Sequence, residues 1–249
     1  MINNPFTLEG KMILVTGASS GIGRSIAIEC SRMGAHLILV ARNSQRLEEV
    51  LHLLHGVGHT YLSINLTSED ELENMVDALP KLDGVASNAG IVKSQVSQLS
   101  DRSDLEQIFE INTFSHIRLI QLLQQKKRLN KGASIVFLSS MSGVYCGAIG
   151  GSLYGSTKAA LNGFTKALAL ELAPRNIRVN TVNPGMINTG IFDQTVLTKE
   201  QFEEDAKRYP LKRYGKPEEI AYAVVYLLSD ATAWMTGSSL LLDGGYSVQ

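Results

Sequence analysis

The 249-residue sequence contains only two cysteines, Cys30 and Cys146, with no CxxC pair and no His-rich tract. That excludes a disulfide framework, leaves no metal centre to expect, and points to a reducing compartment. Excess charge of either sign is lacking too: 23 Lys and Arg stand against 24 Asp and Glu, a net −1. There is thus no global electrostatic case for nucleic acid or an anionic membrane as partner. No apolar run approaches the ~20 residues needed to span a bilayer. The opening MINNPFTLEGKMILVTG lacks a basic start followed by an apolar stretch, which argues against a signal peptide. Repeats, low-complexity tracts and interdomain linkers are also missing. A soluble cytoplasmic protein folded as one domain over residues 1–249 is expected.

What is present is a rhythm. Short apolar runs (KMILVTG, HLILVAR, TYLSINL, LDGVASNAG, ASIVFLSS, IRVNTVNPG and SLLLDGG) alternate with helical patterns. Helices are expected after the first run, over residues 44–55, 68–79, 101–129 and 154–173, and from Pro217 to about Ser229. The runs are continuously apolar, as strands are when helices cover both faces. The alternation predicts an α/β fold with a doubly wound parallel sheet. One polar stretch, residues 186–217, breaks the rhythm just after a strand's C-terminal end. Ligands bind at that edge of such sheets, so a substrate flap is expected there.

The segment VTGASSGIGRS occupies the first strand-to-helix turn. Gly17, Gly21 and Gly23 permit a sharp turn and close backbone approach, and the helix that follows offers free N–H groups to a phosphate. The spacing is not that of a P-loop, which needs Gly-Lys-Ser/Thr after four residues. Dinucleotide folds that prefer NAD place an acidic residue at the end of the second strand. Here Ala41 stands there, followed by Arg42 and Asn43, and a guanidinium suits a 2′-phosphate. NADP(H) is therefore expected over NAD(H).

In GSLYGSTKAALNGF a tyrosine and a lysine stand four residues apart on one helix face. A free phenol titrates near 10, so an adjacent ammonium that favours the phenolate would bring Tyr154 toward the working range of an acid–base catalyst. The pair has companions in a fixed order: TGASSGIG from Thr16, NAG from Asn88, the asparagine of INTFSH, SS after the fifth strand, YGSTK, and NPGMINT from Asn183. On these motifs the chain resembles the short-chain dehydrogenase/reductase family along essentially its whole length. The resemblance implies a Rossmann-type sheet of about seven strands and a single-domain oxidoreductase acting on CH–OH groups with NAD(P).

Residue by residue, the resemblance implies Tyr154 as general acid or base and Lys158 as the group that lowers its pKa and holds the nicotinamide ribose. Ser140 would donate to the developing oxyanion, with Ser139 and Ser142 as alternatives because the loop to Tyr154 is one residue longer than usual. Asn112 would hold a water in a proton relay. The implied cofactor set adds Ser19, Ser20 and Ile22 in the glycine loop and Asn43 beside Arg42. It also takes in Asn88, Ala89 and Gly90 near the adenosine, and Pro184, Gly185, Ile187 and Thr189 near the nicotinamide. Where the family carries an aspartate after the third strand, this chain has Asn65, followed by Leu66; the amide carbonyl would still accept from adenine.

Val144, Tyr145, Ile149, Met186 and Ile187 form the expected substrate wall, an apolar set that suits an acyl chain, ring or steroid-like body. The style is most similar to 3-oxoacyl-[acyl-carrier-protein] reductases. KKRLNK from Lys126, with Arg175, is a candidate docking patch for acyl carrier protein, or equally a basic helix end favoured by the dipole. Sugar or steroid alcohol dehydrogenases of the same family and a non-catalytic NADP-binding sensor or scaffold are the rival readings. The resemblance also implies a homotetramer paired through the helices at 101–129 and 154–173.

Overall fold

The computed structural model describes residues 4–189 and 198–249. Seven strands, β1 (Met12–Thr16), β2 (His36–Ala41), β3 (Thr60–Ser63), β4 (Leu82–Ser87), β5 (Leu129–Leu138), β6 (Arg178–Pro184) and β7 (Ser239–Leu242), form one sheet. Every pairing is parallel, in the order β3-β2-β1-β4-β5-β6-β7. The chain winds outward from β1 to β3, then returns to place β4 on the other side of β1. That reversal opens a crevice at the C-terminal ends of β1 and β4.

The helices are α1 (Gly21–Arg32), α2 (Ser44–Leu51), α3 (Glu69–Ala78), α4 (Arg102–Phe109), α5 (Ser115–Gln125), α6 (Ser152–Leu172), α7 (Lys199–Ala206) and α8 (Pro217–Leu228). Successive strand residues face opposite sides. Ile13, Val15, Leu37, Leu39 and Leu138 pack with α1, α2 and α8, while Leu14, Ile38, Val40 and Phe137 pack with α3, α5 and α6. Both faces are therefore cores, which is why the strands read as unbroken apolar runs.

Three boundaries differ from the sequence reading. The helix expected over 101–129 is two helices joined by a π turn at Glu110–Phe114. It starts from an Asp101/Asp104 capping box and ends early, where Lys127 turns left-handed at φ 54°, so β5 begins at Leu129. Helix α2 ends at Leu51 because Gly56 and Gly58, both at positive φ, turn the chain toward β3. The expected flap contains α7, and its described part is anchored. Tyr209 is buried and packs its ring 4.8 Å from that of Tyr246 and 5.5 Å from that of Tyr214. The rest of the flap, 190–197, lies outside the described residues.

Phe137 is the largest fully buried side chain and meets Phe164 of α6 edge-on at 6.0 Å. Phe137→Ala is expected to cost about 3–5 kcal/mol of stability, whereas Phe137→Leu costs less than half of that, as read by urea denaturation midpoints.

Candidate active site

The crevice between β1 and β4 is built by backbone approaching backbone. A Cβ on Gly23 would lie 2.1 Å from the Gly17 carbonyl oxygen, and one on Gly17 would lie 2.9 Å from Ala89 Cα. Only glycine fits either position. Ser20 stands at the N-cap of α1 without a side-chain capping bond, so the first N–H groups of the helix face the crevice uncapped. Ser19 and Ser20 lie on this loop, while Ile22 packs into the core beneath it. Thr189 closes the other side, its side chain 3.4 Å from where a Cβ on Gly21 would stand. An uncapped helix start above a glycine cradle fits the pyrophosphate of a dinucleotide.

Asn88 and Ala89 line the adjoining turn. Thr16 Oγ1 accepts from the Asn88 and Ala89 N–H groups at 2.9 and 3.2 Å, and Asn88 Nδ2 donates to the Thr16 carbonyl at 3.2 Å. Gly90 sits where a Cβ would come within 3.2 Å of Asn112 Oδ1 and 3.4 Å of Lys158 Nζ. At the end of β2, Arg42 is exposed and free of any ion pair among the described residues. Asn43 uses its side chain to cap α2, accepting from Arg46 N–H at 2.9 Å. Asn65 Oδ1 accepts from Thr67 N–H and Oγ1 at 3.2 and 3.0 Å. The amide oxygen expected to meet adenine is thus engaged in a local turn, and Leu66 packs against the core.

Tyr154 and Lys158 rise from the first turns of α6. Lys158 is 4% exposed, and its ammonium donates to the Leu138 carbonyl at 2.8 Å and lies 5.9 Å from the centre of the Tyr154 ring. Burial lowers its pKa to about 8. Burial also pushes the Tyr154 phenol up, and the hydrogen bond to Ser140 opposes this only in part. The expectation that Lys158 draws the phenol down is therefore not met; desolvation sets both groups.

The two serines separate by strand geometry, since neighbouring residues point to opposite faces. Ser139 turns under α6, donating to the Lys158 carbonyl at 2.8 Å and accepting from Asn162 Nδ2 at 2.6 Å. Ser140 faces Tyr154 and accepts the Ser142 N–H at 3.1 Å, while Ser142 itself bridges to Cys146 through the backbone. The loop reaches Tyr154 because Gly143, at φ 81°, lies flat on Gly155: a Cβ on Gly143 would stand 2.2 Å from the Gly155 carbonyl oxygen.

Asn112 is fully engaged: Oδ1 accepts from Ile91 N–H at 2.8 Å, and Nδ2 donates to the Ile91 carbonyl at 2.9 Å and to Thr157 Oγ1 at 3.2 Å. Its side chain holds the Ile91 loop against α6. On the nicotinamide side, the Pro184 carbonyl accepts from Met141 N–H at 2.9 Å and Gly185 N–H donates to the Leu242 carbonyl at 2.8 Å. Ile187 is buried and bridges to Gly215, so it is no wall residue. Met186, Val144 and Tyr145 are exposed and Ile149 is 95% exposed, so this set lines no closed cavity among the described residues. Tyr145 points its hydroxyl to the Ser239 carbonyl at 3.4 Å.

The basic patch at 126–131 is displaced and partly occupied. Lys126 pairs with Asp77 at 3.0 Å, Arg128 donates to the Asp77 carbonyl at 2.6 Å and Arg175 to the Leu129 carbonyl at 2.5 Å. It lies at the N-terminal end of β5, the far end from Ser140. Thr16, Thr157 and Asn162 contribute to the site although no role was expected of them; Thr16 and Thr157 lie inside the TGASSGIG and YGSTK motifs, and Asn162 stands one turn beyond Lys158. Among the described residues no cluster of His, Cys, Asp and Glu forms a metal centre, and no helix is long and apolar enough to cross a membrane.

The family described as "Enoyl-(Acyl carrier protein) reductase" matches residues 17–247. The chain is 36% identical over 238 residues to a 3-oxoacyl-[acyl-carrier-protein] reductase of Rickettsia bellii, covering 96% of this chain and 97% of that protein. An L-rhamnose 1-dehydrogenase (NAD(P)(+)) of a Sphingomonas species is 33% identical over 252 residues, covering 97% and 98%. A solved short chain dehydrogenase/reductase family protein superposes with a TM-score of 0.87 at 33% identity, over 97% of this chain and 99% of that one. With its parallel seven-stranded sheet, glycine cradle and Tyr-Lys helix, this chain belongs to the short-chain dehydrogenase/reductase family of oxidoreductases.

Proposed function

We propose that the protein is an NADP(H)-dependent reductase that converts a ketone or β-keto thioester to the alcohol, with Tyr154 as the general acid. The observation that carries this reading is that Ser140 interacts with Tyr154 while the Lys158 ammonium lies 5.9 Å from the centre of the Tyr154 ring. Two neighbouring hydroxyl donors suit a carbonyl oxygen that gains negative charge as it is reduced. The bound nicotinamide supplies the hydride. Gly17–Gly23 and the start of α1 would hold its pyrophosphate, Asn88–Gly90 would stand near the adenosine and Thr189 near the nicotinamide, and Arg42 would meet a 2′-phosphate.

Tyr154 delivers the proton to the substrate oxygen, and Ser140 stabilises that oxygen by a second hydrogen bond. The raised phenol pKa keeps Tyr154 protonated at neutral pH, the form that reduction needs; alcohol oxidation needs the phenolate and rises with pH. A 3-oxoacyl group on acyl carrier protein is the favoured substrate, on the strength of the similar reductases. Carrier docking at Lys126–Lys131 is not part of the proposal, since that segment lies at the far end of β5. Sugar oxidation is the second reading, favoured by the similar rhamnose dehydrogenase. A homotetramer is proposed on the exposed Leu105, Phe114 and Leu170 of the α4–α5 and α6 surfaces.

With a panel of 3-oxoacyl thioesters, ketones and aldoses, absorbance at the reduced-cofactor band is expected to fall faster with NADPH than with NADH. Tyr154→Phe lowers kcat by about 10²–10⁴-fold; a variant that keeps its turnover defeats the mechanism. Light scattering is expected to give four times the chain mass, and a monomer overturns the assembly.

Lys158→Met removes a buried charge at the expense of activity. At pH 7 it is expected to stabilise the free protein by about 1–2 kcal/mol. The native lysine discharges near pH 8 while the unfolded one stays charged to about 10.4. Wild-type stability therefore rises with pH through that window, and the advantage of the variant shrinks. Urea midpoints at pH 7 and 9 test this; a variant less stable at both contradicts it.

A further inference from the structure

His116 has no role in the site as assembled so far, yet it is 1% exposed and touches the site's central turn. That turn, Asn88–Ile91, is already held on three sides: by Thr16 Oγ1, by the Asn88 amide against the glycine loop, and by Asn112 on Ile91. The fourth contact is His116, whose Nε2 stands 2.6 Å from the Ala89 carbonyl oxygen and whose Nδ1 stands 2.6 Å from Ser87 Oγ. A carbonyl only accepts, so Nε2 carries the proton and Nδ1 accepts from the Ser87 hydroxyl.

The choice of histidine has a physical reason. Lys158 already places a buried positive charge against Gly90, and a lysine or arginine at 116 would add another. A neutral imidazole supplies the donor without the charge. Burial, with the nearby Lys158 ammonium, holds its pKa down to about 3. Asn112 and His116 are four residues apart, so one face of the π turn and the start of α5 reaches both Ile91 and Ala89.

We propose that His116 is a positioning residue for the cofactor-facing turn: by fixing the Ala89 carbonyl it sets where Gly90 meets Lys158, and the Ser87 hydroxyl holds the other ring nitrogen. This rests on the reading of Asn88–Gly90 as cofactor-facing.

The test compares wild type with His116→Phe, His116→Gln and Ser87→Ala. NADPH and NADH binding is followed by fluorescence titration, and exchange of the Ala89 and Ile91 amides by hydrogen exchange in the free protein. Phenylalanine keeps the volume and loses the donor; glutamine restores a neutral donor. His116→Phe is expected to weaken cofactor binding and speed exchange by about tenfold each, and His116→Gln to stay within about threefold of wild type. In turnover the Phe variant raises the cofactor KM more than it lowers kcat.

Wild-type behaviour of His116→Phe, or equal loss in Phe and Gln variants, overturns the proposal. Should His116→Phe fail to fold, Ser87→Ala decides: exchange about threefold faster supports the role, and unchanged exchange rejects it. Should wild type bind neither cofactor, the functional reading fails, while the exchange pattern still decides on His116.

Discussion

Lys158 is an ammonium buried without an ion pair among the described residues, and the active-site end of the sheet is arranged around it. An uncompensated buried charge is costly, and here a backbone carbonyl at the end of β5 meets it. Because that carbonyl belongs to Leu138, the lysine is tied to the strand that also presents Ser140. Because Gly90 lacks a side chain, the ammonium also packs close beside the β4 turn. One cation thereby links α6 to β5 and sits against the turn that forms the crevice. The cost in stability is typical of sites held ready for a charged or polar ligand.

The helix carrying Lys158 is seated by polar contacts as well as by its apolar face of Leu161, Leu168 and Leu172. Asn162, one turn beyond the lysine, accepts from Thr181 Oγ1 and Ser239 Oγ at 2.9 Å each and donates to Ser139 Oγ at 2.6 Å. That network reaches β6 and β7, so the helix cannot slide along the sheet without breaking several buried hydrogen bonds together. At its other end the flat contact of Gly143 on Gly155 sets how near the serine loop comes. Ser139 belongs to the seat and Ser140 to the chemistry, a division that follows from strand alternation alone.

Much of this was legible in the sequence. Continuous apolar runs gave seven strands covered on both faces, because a parallel sheet leaves no polar side to read. Tyr154, Lys158 and the glycines were legible because their spacing encodes a helix face and a tight turn. What stayed hidden depends on neighbours distant in sequence. The direction of the Tyr154 pKa follows from burial, which i,i+4 spacing does not report. The amides of Asn65 and Asn112 looked free for ligands, yet local and long-range backbone groups claim them. The π turn inside 101–129 carries only a weak mark, a short run of poorer helix formers (Ile111, Asn112, Thr113, Phe114) without a Gly or Pro to break the pattern.

The same strand separates two uses of positive charge. At the N-terminal end of β5, Lys126, Arg128 and Arg175 brace Asp77 and the carbonyls of Asp77 and Leu129, where cations complement the ends of α3 and α5. At the C-terminal end stand Lys158, buried, and Arg42 across the crevice, exposed and without an ion pair among the described residues. A strand of ten residues rises roughly 30 Å at about 3.3 Å per residue, well beyond a Debye length of about 8 Å. The bracing cluster therefore cannot tune the site within one chain. The charge that a cofactor or substrate meets there is set locally, by groups such as the buried Lys158 and the exposed Arg42.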